Sequence, residues 1–300
     1  MKLAGLTATV ILAVTTTSAA HAYVRTTTEN HTPISWPSSC LTFVPSSSAL
    51  PTGIDLATFT ATIDQAMANW RVATSPCSNF EMSRLDPQPV LVLHDNLSVI
   101  KFNTQFWTHG DTATGASFDS ATKAITTVSF IDKKGVPNDG TILDADIELN
   151  ATDYQFVILP SDSMFPNESD LENTLTHEMG HAQGLAHTCY IEGDPIPLDE
   201  NGQPLPDCEH SDPVVAATTM FAIASPSDID KRYPKADDVA GICAIYPLTA
   251  SACGPPLTAA TQASAGCQLN PTDKDTTFPV LCLIGVLARL QFRRRLRAQR

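Results

Sequence analysis

Three histidines and one glutamate lie close together in the stretch "HEMGHAQGLAH". His177 and His181 are one helical turn apart, so on a helix they project from the same face and can bind one metal ion. Glu178 can reach a metal-bound water without ligating the metal. Gly184 lets the chain leave the helix sharply, so that His187 can return as a third ligand. Three neutral imidazoles leave a coordination position for water, as in a catalytic zinc site.

The alternative is that His177 and His181 are ordinary histidines on a helix surface. The short pattern H-E-x-x-H arises by chance often enough to be moderate support for a metal site. The longer pattern H-E-x-x-H-x-x-G-x-x-H adds a glycine and a third histidine at fixed offsets, which chance rarely supplies. The stretch therefore predicts a zinc centre that activates water.

The same stretch resembles the zinc-binding motif of the metzincin metalloproteases. That family also has a methionine in a turn beneath the zinc, and "ATTMFAIASP" supplies Met220. Within the family the chain resembles the matrixin-like group. "ADDVAGICAIYP" is similar to the C-terminal helix of matrixins, "GTILDADIELN" to the strand before the active-site helix, and "FTATIDQAMANW" has the place of the first helix. The resemblance covers about residues 40–247.

The resemblance implies an α/β (α+β) metzincin fold. Its twisted, mostly parallel five-stranded sheet has the active-site helix beneath it, and a smaller, mostly irregular C-terminal subdomain ends in a helix. The implied activity is that of a zinc endopeptidase, with Glu178 as general base and Met220 as a packing support. The segment from Phe221 to Pro226 would form a wall of the primed-side substrate pocket.

The chain departs from animal matrixins in three respects. Only His94 and His109, with their neighbouring aspartates, are available for a second, structural zinc; they are too few, so we expect both to be ordinary residues. No P-R-C-G cysteine switch precedes the domain, and Cys77 is expected to form a disulfide. No tyrosine directly follows Met220, where some metzincins have one. The means of latency is therefore open.

Periodic patterns predict the elements that position the motif. "LATFTATIDQAMANW" has apolar residues at helical spacing after Asp55, a predicted N-cap. Ser169 or Asp170 can cap the active-site helix, and Pro247 stops the last helix, "KADDVAGICAIY". Strands are predicted in "LTFV", "PVLVLHD", "NLSVIKFN", "AITTVSFID" and "TILDADIELN". The alternation in "ITTVSFI" favours an edge strand with one wetter face.

The last predicted strand carries Asp144, Asp146 and Glu148 at alternate positions, which puts the three carboxylates on one face. The simpler interpretation is a solvated face. The alternative is a calcium site, because calcium takes clustered oxygen ligands.

The cysteines are dispersed and show no C-x-x-C zinc spacing. In an exported chain this distribution indicates disulfides. The predicted pairs, each of which closes a modest loop, are Cys40–Cys77, Cys189–Cys208 and Cys243–Cys253.

The two ends of the chain differ from its middle. Residues 1–22 have a lysine, a short apolar run and an A-x-A end, which predict a cleaved secretory signal. The alternative, a membrane anchor, needs a longer apolar run. The metalloprotease domain is assigned to residues 23–250, a linker to 251–277, and an apolar and arginine-rich segment to 278–300.

The C-terminal segment is too short in its apolar part for the ~20 residues that span a bilayer. A cationic amphipathic helix on anionic lipid and a frayed basic tail are two interpretations. However, Gly266-Cys267, the apolar run and the terminal arginines resemble the C-terminal sorting signals of myxobacteria. This resemblance implies transient membrane retention, processing near Cys267, and surface display or release.

The formal net charge is −14 although six arginines lie in the last twelve positions, so the remaining chain is strongly acidic. Such a body is repelled by nucleic acid, and we expect none as a partner. The expected partner is a protein or peptide substrate, with membrane contact only through the tail, and we expect a monomer. The competing class is a non-catalytic, zinc-stabilised surface or adhesion protein.

Overall fold

The computed structural model describes residues 23–93, 95–160, 168–191, 196–225, 227–251, 253 and 297–299. The predicted signal segment, most of the linker and tail, His94 and Pro226 lie outside these residues. Within the described ranges, no helix has both the length and the apolar character needed to cross a membrane.

Ten strands and four α-helices are present in the described part of the chain. The strands are β1 (Val24–Arg25), β2 (Cys40–Pro45), β3 (Glu81–Arg84), β4 (Val99–Asn103), β5 (Ala124–Phe130), β6 (Ile142–Asn150), β7 (Gln155–Val157), β8 (Glu168–Asp170), β9 (Leu185–Ala186) and β10 (Arg297–Gln299). The helices are α1 (Leu56–Thr74), α2 (Leu171–Ala182), α3 (Pro213–Ala216) and α4 (Ala236–Ile245).

The central sheet has the strand order β3-β2-β4-β6-β5. The first four of these strands run parallel to their neighbours, and β5 runs antiparallel to β6. The predicted α/β class with a mostly parallel five-stranded sheet is therefore confirmed. The short strand β10 pairs antiparallel with the outer edge of β5, from Arg297 opposite Val128 to Gln299 opposite Thr126.

Two strand predictions are wrong. "PVLVLHD" forms no strand over residues 89–93, where Leu91 is 59% and Leu93 51% exposed. A short run of apolar residues is not sufficient, because a strand also needs a neighbour for its backbone groups. In β5 the predicted wetter face is absent, since Thr126 is 0% and Thr127 4% exposed.

The helices that flank the site begin where the sequence predicts. The Asp55 carboxylate accepts a hydrogen bond from the Thr58 amide at 2.7 Å and caps α1. Asp170 caps α2 in the same way, through the Asn173 amide at 2.8 Å. Each cap satisfies an amide that lacks an intrahelical partner, which contributes about 1 kcal/mol to helix stability.

The core joins both helices to the sheet. Helices α1 and α2 pack against each other, and α2 also packs against β5 and β6. The buried Trp70 of α1 donates from Nε1 to the Thr176 carbonyl of α2 at 2.8 Å. Burying such a side chain favours folding by roughly 1.5–3 kcal/mol, and the hydrogen bond sets the position of α1 against α2.

Three disulfides are present, and two of the predicted pairings are wrong. Cys189–Cys208 is confirmed and closes the long loop after α2. The others are Cys40–Cys253 and Cys77–Cys243, which connect the start of the domain with its end. The reason is tertiary: α4 packs against α1, so Cys243 on α4 meets Cys77, which lies in the turn after α1. The length of the closed loop therefore does not predict these two disulfide pairings.

The acidic residues of β6 are buried, which contradicts the predicted solvated face. Asp144 and Asp146 are each 1% exposed, and Glu148 is 0% exposed. The Glu148 carboxylate is hydrogen-bonded by the Gly110 amide at 2.7 Å and lies 2.8 Å from Nδ1 of His109. Burial raises the pKa of Asp144 to about 6, and burial together with the Asp144 charge raises that of Asp146 to about 9. Asp146 is therefore protonated at neutral pH.

This burial predicts a specific pH dependence for Asp146→Asn. A raised folded pKa means that wild-type stability falls as pH rises from the ordinary value of 3.8 towards 9, because the unfolded carboxyl releases its proton first. Asparagine stays neutral, so the stability of the variant relative to wild type should increase from pH 5 to pH 8. Urea unfolding at both pH values measures the difference.

Exposed Asp86→Asn is the control and should show no such trend. Equal stability of wild type and Asp146→Asn at both pH values would contradict the neutral carboxyl. Repeating the pH 8 measurement with calcium tests the alternative of a calcium site, since a calcium ligand lost to asparagine would make the variant the less stable protein.

Candidate metal centre and active site

The three histidines of the motif converge. His177 and His181 project from α2, and Nε2 of His187 lies 3.1 Å from Nε2 of each of them. A tetrahedral zinc with bonds of about 2.0–2.1 Å separates its nitrogen ligands by roughly 3.3 Å. The candidate ligand nitrogens of the three histidines all lie within 4.8 Å of one another. The histidines could therefore hold one metal ion.

Backbone carbonyls orient two of the rings. Nδ1 of His177 lies 2.6 Å from the Thr219 carbonyl oxygen, and Nδ1 of His181 lies 2.9 Å from that of Leu185. A carbonyl only accepts, so each Nδ1 carries the proton and each Nε2 presents its lone pair to the centre. Burial, with smaller contributions from nearby cationic groups, lowers the pKa of His177 and His187 well below the ordinary value. Both rings are therefore neutral, as metal ligands must be.

Gly184 ends the helix as predicted. It has a φ of +102°, and its amide donates to the His181 carbonyl at 2.9 Å. This left-handed conformation disfavours side chains, and a Cβ here would lie only 3.1 Å from the Ile34 carbonyl oxygen. The turn brings the Leu185 carbonyl back to His181 and allows His187 to reach the centre.

Glu178 lies beside the metal group and is 5% exposed. Its Oε2 accepts a hydrogen bond from the Thr126 hydroxyl at 2.6 Å. Burial raises the pKa of Glu178 to about 7, and the Thr126 hydrogen bond opposes the shift. Thr126 was missed by sequence reasoning, because only the pairing register of β5 places this hydroxyl towards α2.

Met220 lies under the site and is fully buried. Its amide and that of Thr219 donate to the Asp238 carboxylate at 3.0 and 2.7 Å. Because the Thr219 carbonyl holds His177, Asp238 supports the three-histidine group through the turn that contains Thr219 and Met220. Sequence reasoning also missed Asp238, since an aspartate in the first turn of α4 suggests only a favourable helix-dipole interaction.

A cavity of about 330 Å³ opens beside the histidines. It is bounded by α2, by the segment leading into β5, and by the backbone that follows Met220. The lining residues are Asp119, Ala121, Thr122, Lys123, Ala124, Asn173, Thr174, His177, Glu178, Ile191, Ala222, Ile223, Ala224 and Lys231. Phe221, a predicted wall residue, precedes the lining segment Ala222–Ala224, and Pro226 lies outside the described residues.

A comparison of the chain with protein-family models finds no match, and a search among curated proteins finds no relative. The site is characterised by its own geometry: neutral imidazoles that share one centre, a buried carboxylate beside them and a cavity that reaches both. Such an arrangement can hold a metal ion, position a water and accept one side chain of a ligand.

The packing of Met220 gives a testable prediction for Gly180, which lies between His177 and His181 on α2. A Cβ on Gly180 would lie 2.3 Å from Sδ of Met220 and 3.2 Å from Cζ2 of Trp70. Gly180→Ala should therefore destabilise the protein by about 1–3 kcal/mol, although alanine is the better helix former. Urea unfolding measures the change.

A double-variant cycle with Met220→Ala isolates this contact. Removing the methionine side chain should relieve the overpacking, so the two free-energy changes should not add. Additive changes would show that Gly180 and Met220 do not limit each other.

Proposed function

We propose that the protein is a zinc-dependent endopeptidase with a metzincin fold of the matrixin-like group. The observation that carries the proposal is the convergence of three histidine Nε2 atoms beside a buried carboxylate on the wall of a cavity. Zinc suits three imidazole ligands and an open position. When bound there, it would polarise the scissile carbonyl and lower the pKa of the attacking water.

Glu178 has the central role among the protein groups. It takes a proton from the attacking water as general base and returns it to the leaving amine as general acid. A pKa near neutrality suits a group that must do both. The Thr126 hydroxyl at 2.6 Å holds the carboxylate in place. Met220 supports the ligands by packing and takes no part in the chemistry.

The substrate is proposed to bind as an extended peptide along β5. The outer edge of this strand accepts an antiparallel strand, as the pairing of Thr126–Val128 with β10 illustrates. Backbone hydrogen bonding of this kind positions a peptide regardless of its sequence. The cavity begins at the Ala124 end of β5, so a peptide lying there would present one side chain to it.

The alternative function is a surface or adhesion protein in which zinc only stabilises the fold. The cavity and the carboxylate of Glu178 argue against it, since a closed structural site uses four protein ligands and needs no base. Digestion of casein or gelatin, with and without a chelator, distinguishes the two functions.

Export and surface display or release are proposed with this activity. Three disulfides suit an oxidising compartment. The signal-like residues 1–22 lie outside the described part of the fold, as does the sorting-type segment 278–300 except for residues 297–299, which form β10. We expect cleavage after Ala22 and processing near Cys267. Mass spectrometry of the exported protein checks both ends, and an intact Arg300 would contradict processing.

The decisive test is Glu178→Gln. Glutamine keeps the shape of the side chain and is not a metal ligand here, so the variant should retain one equivalent of zinc. It should lose at least about 100-fold in peptide cleavage, because the proton-transferring group is gone. Metal analysis and a fluorogenic peptide assay measure the two properties.

Exposed Glu209→Gln is a matched control and should keep full activity. Undiminished proteolysis by Glu178→Gln would eliminate Glu178 as the base. Loss of zinc from the variant would indicate that Glu178 acts in metal binding instead.

A further inference from the structure

Two lysines line the cavity and hold one of its walls. Nζ of Lys231 donates to the carbonyl oxygens of Phe221 and, at 3.1 Å, Ile223. Nζ of Lys123 donates to those of Ala224 at 2.9 Å and Ser225 at 3.3 Å. Both ammonium groups therefore fix the backbone that follows Met220, and neither has a role in the proposed chemistry.

Lys231 is the more deeply buried of the two and is 5% exposed. An ammonium group has three donors, and two of them serve the wall. Among the described residues no carboxylate forms an ion pair with Lys231, although Glu178 and Asp228 act on it at longer range. Burial lowers the pKa of Lys231 to about 8, so the group is charged at neutral pH. The cavity therefore contains a desolvated cation without a close anionic partner in the described chain.

The remaining lining residues are divided evenly between apolar and polar side chains. The apolar members are Ala121, Ala124, Ile191, Ala222, Ile223 and Ala224. A volume of about 330 Å³ is at the small end of ligand pockets and suits one side chain rather than several. The fitting occupant has a short apolar stem and an anionic, hydrogen-bond-accepting end.

Glu178 indicates which substrate residue enters the cavity. In the proposed reaction Glu178 protonates the leaving amine, and it also lines the cavity. The amine belongs to the residue that follows the scissile bond. The side chain of that residue is therefore the one that lies at the mouth of the cavity.

We propose, on the basis of the proposed endopeptidase function, that the cavity selects substrates with glutamate directly after the scissile bond, and that Lys231 is the residue that determines this specificity. The two methylene groups of glutamate contact the apolar lining residues, and its carboxylate accepts the third donor of Lys231.

The energetics favour a measurable but limited preference. Lys231 is already largely desolvated in the free protein, so most of the desolvation cost on binding falls on the carboxylate. A hydrogen bond between charged groups is stronger than a neutral one, and the expected discrimination between glutamate and glutamine is about tenfold. Asp119 and Glu178 also line the cavity. The preference therefore depends on the substrate carboxylate lying next to Lys231, and the net charge of the cavity does not decide it.

The first test compares three peptides that differ only in the residue after the scissile bond: glutamate, glutamine or leucine. Wild type should cleave the glutamate peptide with a kcat/KM about tenfold above the glutamine peptide. Lys231→Met should abolish this preference and leave leucine as the better substrate. A lysine that only holds the wall would, when replaced, lower cleavage of all three peptides equally, and that result would overturn the proposal.

Exposed Lys134→Met is the matched control for the loss of one positive charge and should leave the order of the three peptides as in wild type. Lys231→Arg keeps a cation and should keep the preference for glutamate over glutamine. The wild-type comparison needs no variant, so the proposal remains testable if Lys231→Met does not fold.

A binding measurement separates this inference from the proposed function. Calorimetry of the same peptides with zinc-loaded Glu178→Gln reports the preference of the cavity without catalysis. If wild type cleaves no peptide but the variant binds the glutamate peptide about tenfold tighter, the endopeptidase proposal fails and the role of Lys231 stands. If the peptides are cleaved at equal rates and bind equally, the endopeptidase proposal stands and the role of Lys231 is overturned.

Discussion

The hydrogen bond from His177 to the Thr219 carbonyl is the interaction on which the rest of the site depends. It directs the imidazole lone pair at the metal position, and it does so from a turn that is itself held by the Asp238 carboxylate. The metal group therefore depends on packing between α2, the Met220 turn and α4. A histidine held in this way loses little conformational freedom when it binds a metal ion, which favours tight binding.

The same turn connects the metal centre with the cavity. Thr219 contacts His177, Met220 packs beneath α2, and the next residues form the wall that Lys123 and Lys231 hold through its carbonyls. Because these residues are continuous in the chain, a shift in the turn would move both a ligand and the cavity wall. In the proposed function, this short piece of backbone would set the position of a bound peptide relative to the metal.

Much of the fold was predictable because its signals are local. Asp55 and Asp170 cap their helices, and Gly184 ends α2 with a positive φ, each for reasons that lie within a few residues. The wrong predictions concern partners distant in the chain. Cys40 and Cys77 bond to cysteines near the end of the domain, and the carboxylates of β6 lie in the protein interior.

The sequence by itself determined the candidate metal site, since the spacing of His177, His181 and His187 around a glycine is a local property that a helix and a turn convert into one group of three imidazoles. Only the tertiary structure decided what surrounds that group. Thr126 reaches Glu178 from a neighbouring strand, Asp238 reaches the Met220 turn from the last helix, and Lys231 reaches the cavity wall. The physical reason is that such contacts depend on strand register and helix packing, which join residues far apart in the chain and leave no periodic signal in the sequence.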